Sequence, residues 1–130
     1  VQALFVPDLA WVASVPIGAL ATAILTVNNV RDFEGDALAG KTTLVVRFGR
    51  EGGVWEYAAL VSVAYVMPFV MWLFGWTSAW VNLPLLSIPW AGRLFRSVVR
   101  DRGVALNRTL AGTAKLLSIF GVLFAIGIAL

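Results

Sequence analysis

The residues with the most chemical potential lie together between positions 28 and 50. The run Asn28-Asn29-Val30-Arg31-Asp32-Phe33-Glu34-Gly35-Asp36 leads into Gly40-Lys41-Thr42-Thr43-Leu44, then Arg47 and Arg50. If a helix continues through the start of this stretch, Asn28, Asp32 and Asp36 fall four residues apart and share one face. Two carboxylates in that register repel each other unless a cation lies between them. Oxygen ligands without His or Cys suit Mg²⁺ or Ca²⁺, and Mg²⁺ is commonly held by one or two carboxylates together with substrate phosphates and water. Asn28 or Asn29 can add a carbonyl oxygen. Gly40 suits the end of a helix. Lys41, Arg47 and Arg50 behind it suit the neutralisation of phosphate oxygens. The chemistry of this stretch is that of a Mg²⁺–diphosphate site, with Asp32 and Asp36 as the metal ligands.

Two simpler readings compete. A solvated loop of mixed charge is one, but the Asn pair closes an apolar run, where polar groups are costly and tend to be functional. The other is a P-loop, because Gly35-x-x-x-x-Gly40-Lys41-Thr42 fits the letter pattern. That motif needs a buried strand before it and an α/β domain around it. Here an apolar span precedes it.

The elements that must position these residues follow from composition. Of 130 residues, 60% are hydrophobic and only 13% charged, and the mean hydropathy is +0.87. An ordinary soluble domain carries about 25% charged residues, so this is an integral membrane composition. Zero Cys and zero His exclude disulfides, thiolate catalysis, imidazole acid–base chemistry and most transition-metal sites. Uncharged runs of about 20 residues predict membrane helices over about 9–30, 55–74, 79–97 and 109–130. The second and third are separated by a turn at Gly75–Ser78, and Pro84 and Pro89 predict a kinked or irregular third span. The motif loop is 28–53. All ten basic residues fall on the side of the motif loop and of the loop between spans three and four. The rule that positive loops stay inside makes that side cytoplasmic, which accounts for the net charge of +3 without nucleic acid. Residues 1–8 and the Gly75–Ser78 turn are then outward. Trp11, Trp72, Trp76 and Trp80 form an outer aromatic belt, and Trp55, Tyr57 and Trp90 an inner one. The fold class expected is all-α, a polytopic transmembrane helix bundle. The chain is read as a fragment of a longer membrane protein, with 1–130 as part of one domain.

The run from Asn28 to Gly49 resembles the second aspartate-rich motif of the UbiA superfamily of intramembrane prenyltransferases. It is most similar to the MenA branch, the 1,4-dihydroxy-2-naphthoate polyprenyltransferases. That branch reads Asn-Asn-x-Arg-Asp-x-x-x-Asp, then Gly-Lys-x-Thr-Leu, then Arg and Gly. Here these are Asn28, Asn29, Arg31, Asp32, Asp36, Gly40, Lys41, Thr43, Leu44, Arg47 and Gly49. Asn107, Leu110, Thr113, Ala114 and the Phe120-Gly121-Val122-Leu123 run resemble the branch as well. The 4-hydroxybenzoate branch carries an extra Asp and a differently placed Lys, which this chain lacks.

The resemblance implies a nine-helix fold around a cavity open to the membrane, of which this chain supplies the C-terminal four helices and one of two facing aspartate motifs. It implies that the fragment alone is inactive and needs the N-terminal helices. It implies Mg²⁺ on Asp32 and Asp36 binding the diphosphate of a polyprenyl donor, with Asn28, Asn29, Arg31, Lys41 and Arg47 on the diphosphate. An allylic cation is then attacked by an aromatic quinone precursor, 1,4-dihydroxy-2-naphthoate, with loss of its carboxylate, in menaquinone biosynthesis. Such a protein sits in the lipid bilayer of the bacterial inner membrane, with the motif loop cytoplasmic.

Alternatives remain at this stage: another aromatic acceptor such as 4-hydroxybenzoate, or a non-enzymatic transporter fragment whose Asp32 and Asp36 form a cation-entry site. A permeation site would more often place its acids near mid-span. A purely structural subunit would need no such cluster. Elsewhere, Lys115 is read as snorkelling to the cytoplasmic surface and Arg93, Arg96 and Arg100 as meeting anionic lipid headgroups. Asn107 is read as a helix cap. Tyr57 and Tyr65 receive no role.

Overall fold

The computed structural model describes residues 8–130. Residues 1–7, read above as part of an outward terminus, lie outside the described residues. Helix α1 spans Asp8–Arg31, with an acid in its first turn and an Arg in its last, matching the helix dipole. Its buried side chains, among them Ala19, Leu20, Ala23, Val27 and Val30, recur at three- and four-residue steps and make one stripe. Trp11 and Leu25 on its other side are exposed. At 1.5 Å per residue α1 is about 36 Å long, enough to cross a hydrocarbon core of about 30 Å.

A short helix α2, Phe33–Leu38, follows, then α3, Leu44–Leu73. The Thr43 hydroxyl accepts the Val46 N–H at 3.1 Å and caps α3. Gly49, at φ 77° and ψ 174°, breaks α3 after its first turn, a conformation that favours glycine. The chain turns through 74–78. It then forms a 3-10 helix over Ala79–Ser87, α4 over Ile88–Arg100, a 3-10 turn at Gly103–Ala105 and α5 over Leu106–Ala129.

The protein is an all-α membrane helix bundle. Helices α1, α3 and α5, the last with its preceding turn, are each long and apolar enough to cross a membrane. The segment read from sequence as a span over 79–97 is two pieces, because Pro84 and Pro89 lack the N–H groups that α-helical bonding would need. At about 2.0 Å per 3-10 residue and 1.5 Å per α residue, Ala79–Ser87 and α4 add about 18 Å and about 20 Å of helix, neither of which is long enough alone to cross a hydrocarbon core of about 30 Å.

Helix α1 packs on α3 and α5, and α5 packs on the 3-10 helix and α4. Small residues allow the closest approaches. A Cβ on Gly53 would lie 2.5 Å from Val30 Cγ2 and 2.8 Å from Val45 Cγ2, so α1 and α3 meet tightly just beside the motif loop. A Cβ on Gly127 would collide with the Trp80 carbonyl. Two tyrosines tie the bundle through hydroxyl chains. The fully buried Tyr57 donates to Thr113 Oγ1 at 3.1 Å, because the Thr113 hydroxyl already donates to the Thr109 carbonyl at 2.8 Å. Tyr65 donates to Ser87 Oγ at 2.6 Å, which donates to the Pro84 carbonyl at 2.7 Å. A buried hydroxyl without such a partner would cost free energy. Tyr57, expected in the inner aromatic belt, is thus an interior side chain, and Tyr65, without a motif in the sequence, is its counterpart farther along α3.

Candidate active site

The helical backbone bonding of α1 carries past its end. Asp32 N–H donates to the Asn28 carbonyl at 3.0 Å and Asp36 N–H to the Asp32 carbonyl at 2.8 Å. Asn28, Asp32 and Asp36 therefore keep their one-turn register across the junction of α1 and α2.

Arg31 organises the upper half of this site. Its Nε donates to Asp32 Oδ1 and its Nη2 to Asp32 Oδ2, both at 2.8 Å, a two-pronged pairing that fixes the carboxylate plane. The same Nη2 donates to Asn28 Oδ1 at 2.8 Å. Nη1 donates to Asn107 Oδ1 at 2.9 Å, across 76 residues of sequence. Four of the five guanidinium N–H donors are thus engaged, and the remaining one, on Nη1, is available to an anion. The Arg31 hydrogen bond, assisted by the charges of Arg31 and Lys41 and opposed by partial burial, holds the Asp32 carboxyl below its usual range.

The lower half is built by the end of α2. Gly40, at φ 73°, lets the chain reverse. Its N–H donates to the Ala37 carbonyl at 3.3 Å and the Lys41 N–H to the Asp36 carbonyl at 3.0 Å, the paired bonds of a Schellman cap. This turn brings Lys41 Nζ to 3.0 Å from Asp36 Oδ1. Asp36 is buried at 7% exposure, while the Lys41 side chain is 66% exposed. The letters of the P-loop pattern therefore form a helix end, with no strand among the described residues.

Not every residue selected from sequence joins the cluster. Asn29 is half-buried and makes no side-chain hydrogen bond among the described residues. Arg47 is exposed, and its guanidinium lies 5.6 Å from the Phe48 ring centroid. Arg50 is engaged elsewhere: it donates to the carbonyls of Val98 at 2.7 Å, Val99 at 3.2 Å and Asp101, closing the C-terminal end of α4. Asn107 does not cap α5, whose N-cap is Ala105 without a side-chain bond; it is the distant acceptor for Arg31. No local pattern could have shown that pairing. Lys115 is exposed on α5. Glu56, passed over in the sequence, keeps a buried carboxylate oxygen without a hydrogen-bond partner. A recess of about 300 Å³ adjoins Arg31, with Phe33, Glu34, Arg50 and Arg102 in its wall.

The donor set fits Mg²⁺ in one mode. Among the described residues no group of three or more His, Cys, Asp or Glu side chains could hold a metal. The chain thus offers two carboxylates one turn apart. Mg²⁺ is characteristically bound by one or two carboxylates with phosphate oxygens and waters completing its shell, so the residues present suit a metal that arrives with a phosphorylated substrate.

Comparison with known proteins points to one family. The model of the UbiA prenyltransferase family matches residues 1–120. The chain is 33% identical over 117 residues to a Bacillus subtilis 1,4-dihydroxy-2-naphthoate octaprenyltransferase, covering 88% of this chain and 37% of that protein. It is 38% identical over 112 residues to the Escherichia coli protein of the same name, covering 85% and 36%. It is 35% identical over 117 residues to the mouse UbiA prenyltransferase domain-containing protein 1, covering 90% and 33%. The chain spans about a third of the length of these relatives. No solved structure matches. An aspartate pair held in register at the end of an apolar helix, and a family match over most of the length, lead to one conclusion: this chain belongs to the UbiA prenyltransferase family.

Proposed function

We propose that this chain is the C-terminal part of a Mg²⁺-dependent prenyltransferase. In this reading the whole protein transfers a polyprenyl group from its diphosphate to 1,4-dihydroxy-2-naphthoate, with loss of the carboxylate, in menaquinone synthesis. The observation that carries the reading is the Arg31–Asp32 and Lys41–Asp36 pair of ion pairs at the end of an apolar span. The names of the bacterial relatives support the naphthoate as acceptor.

Each part of the cluster has a task. Arg31 fixes the Asp32 carboxylate and retains one N–H for a phosphate oxygen. Lys41 stands at the exposed edge of Asp36, where it meets an incoming diphosphate first. Asn28 and Asn107 hold Arg31 so that its fork does not drift. Asp32 and Asp36 would hold Mg²⁺, which supplies positive charge to the departing diphosphate. Apolar helix faces accommodate the prenyl tail and exclude water from the allylic cation. Asn29 and Arg47 remain candidates for the diphosphate once the rest of the protein is in place. The motif loop lies on the cytoplasmic side of a bacterial cell membrane in this reading.

The test uses the full-length protein in membranes with a labelled polyprenyl diphosphate. 1,4-Dihydroxy-2-naphthoate and 4-hydroxybenzoate are offered separately, each with Mg²⁺ or EDTA. Product from the naphthoate alone, abolished by EDTA, is the expected result. Product from the benzoate instead would retain the transfer and replace the acceptor. No product from either, with no binding of the diphosphate, would overturn the reading.

A further inference from the structure

We propose that the seam between α3 and α4 is a binding groove for an anionic phospholipid. Its charged end adjoins the candidate active site, because Arg50 and Arg102 also wall the recess beside Arg31. Two cavities lie along this seam. One of about 650 Å³ has Arg50 and Arg102 at its rim and Phe48, Trp55, Phe95 and Val99 in its wall. The other, of about 420 Å³, is walled by Tyr65, Val66, Ile88, Ala91 and again Phe95. Sharing Phe95, the two volumes run end to end, charged at one end and apolar at the other.

The dimensions suit one lipid. From Arg50 to Val66 the groove follows α3 for about 24 Å at 1.5 Å per residue. Half of a bilayer, headgroups included, is about 20–22 Å. The groove is thus about one leaflet long. The aromatic body of Trp55, 74% exposed, lies at the charged end, where tryptophan favours the membrane–water boundary.

The charge selects the lipid. Arg102 is exposed and forms no ion pair among the described residues. Arg50 keeps its charge while its N–H groups close α4. Glu51 is the one acid in the wall, so the rim is net positive. Beyond it, Arg93 and Arg96 add further exposed cations, while Asp101 is paired with Arg100 at 3.2 Å. A phosphate-bearing headgroup with net negative charge complements this end, and a zwitterionic one does so less. The remaining helices of a full-length protein find a more suitable surface on α1. Its exposed Ser14, Gly18, Ala21 and Thr22 allow the close approach typical of membrane helix contacts, whereas the charged end of the seam is walled by the bulky Phe48, Trp55 and Phe95.

Quenching of tryptophan by lipids with brominated chains tests the groove in the full-length protein. The Trp55→Phe variant isolates the signal of Trp55 from the other tryptophans. Phosphatidylglycerol should quench Trp55 at about fivefold lower concentration than phosphatidylcholine, and Arg102→Gln should remove most of that preference, as expected for one basic residue at a membrane surface. Raised salt should weaken the preference in the unaltered protein, which keeps the test independent of how the variant folds. Equal quenching by both lipids would overturn the proposal. So would the absence of any Trp55-specific quenching, which would mean that other helices cover the seam. Displacement of the brominated lipid by equimolar polyprenyl diphosphate would also overturn it, giving the groove to the prenyl donor.

Discussion

Arg31 joins three side chains, Asn28, Asp32 and the distant Asn107, and its loss should be felt at all of them. The Asp32 carboxyl is depressed chiefly by the Arg31 hydrogen bond. A depressed carboxyl stabilises the fold fully above its unfolded pKa, about 3.9, and that contribution fades only as pH falls through the lower folded value. Stability from this pair should therefore be flat from about pH 5 to 8. In Arg31→Gln the titration of Asp32 should move up toward the ordinary carboxylate range, as read by thermal unfolding against pH. An unmoved acid limb would refute the pairing. In the full-length protein, Asp32→Asn and Asp36→Asn should each lower kcat at least about 100-fold, the scale of losing a group that stabilises developing charge, while the melting temperature in detergent stays near that of the parent. Wild-type turnover in either variant would remove the metal-site assignment. Asn107→Ala leaves one Arg31 N–H without its acceptor. A KM for the prenyl diphosphate raised about tenfold, at the lower end for bonds to charged groups, is expected, and Asn107→Asp should restore it.

At the scale of elements, two helix ends decide the geometry. The end of α2 depends on the positive φ of Gly40, and a side chain there costs about 1–2 kcal/mol. Gly40→Ala should lower thermal stability by that order and raise the KM for the donor, because Lys41 shifts away from Asp36. Gly40→Asn should do less, since Asn tolerates the left-handed region. The end of α4 depends on Arg50, whose partners are the last carbonyls of that helix. Arg50→Met should destabilise by about 1–3 kcal/mol and expose 101–105 to proteolysis, read by mass spectrometry of the fragments. The end of α3 repeats the device at α2: Gly75 N–H donates to the Trp72 carbonyl at 2.9 Å and Trp76 N–H to the Met71 carbonyl at 3.0 Å, with Gly75 at φ 71°. The Gly40 reversal and the irregular proline segment are local, and each is legible in sequence because its cause lies within a few residues; the length of α3 is not, since the helix begins at Leu44, inside the stretch expected as loop over 28–53.

The whole molecule is a bundle whose crossings are set by small residues at contact points and whose outer faces carry large apolar side chains. Leu25, Trp55 and Leu73 are each more than 60% exposed, a surface suited to lipid rather than water. The contact between α5 and the 3-10 helix is the tightest of these crossings, with Gly127 against the Trp80 backbone. Gly127→Val should lower the melting temperature strongly, as backbone cannot move aside as a side chain can. Gly121→Val, where a Cβ meets only Ile17 Cδ1 at 3.8 Å, should leave it nearly unchanged. Equal melting of the two variants would show that this crossing does not hold the bundle.

Sequence alone determined the membrane character, the all-α class, the one-turn register of Asn28, Asp32 and Asp36, and the family motif around them. These depend on composition and on spacings within one helix turn, where geometry is nearly invariant. The tertiary structure alone decided that Arg31 reaches Asn107, that Arg50 closes the end of α4, and that Tyr57 is satisfied by Thr113. Those pairs are separated by 76, 48 to 51 and 56 residues. Which long side chain meets which distant acceptor depends on how α1, α3, α4 and α5 cross, and a crossing is set by packed side-chain shapes on two helices at once. No periodicity in one segment encodes it.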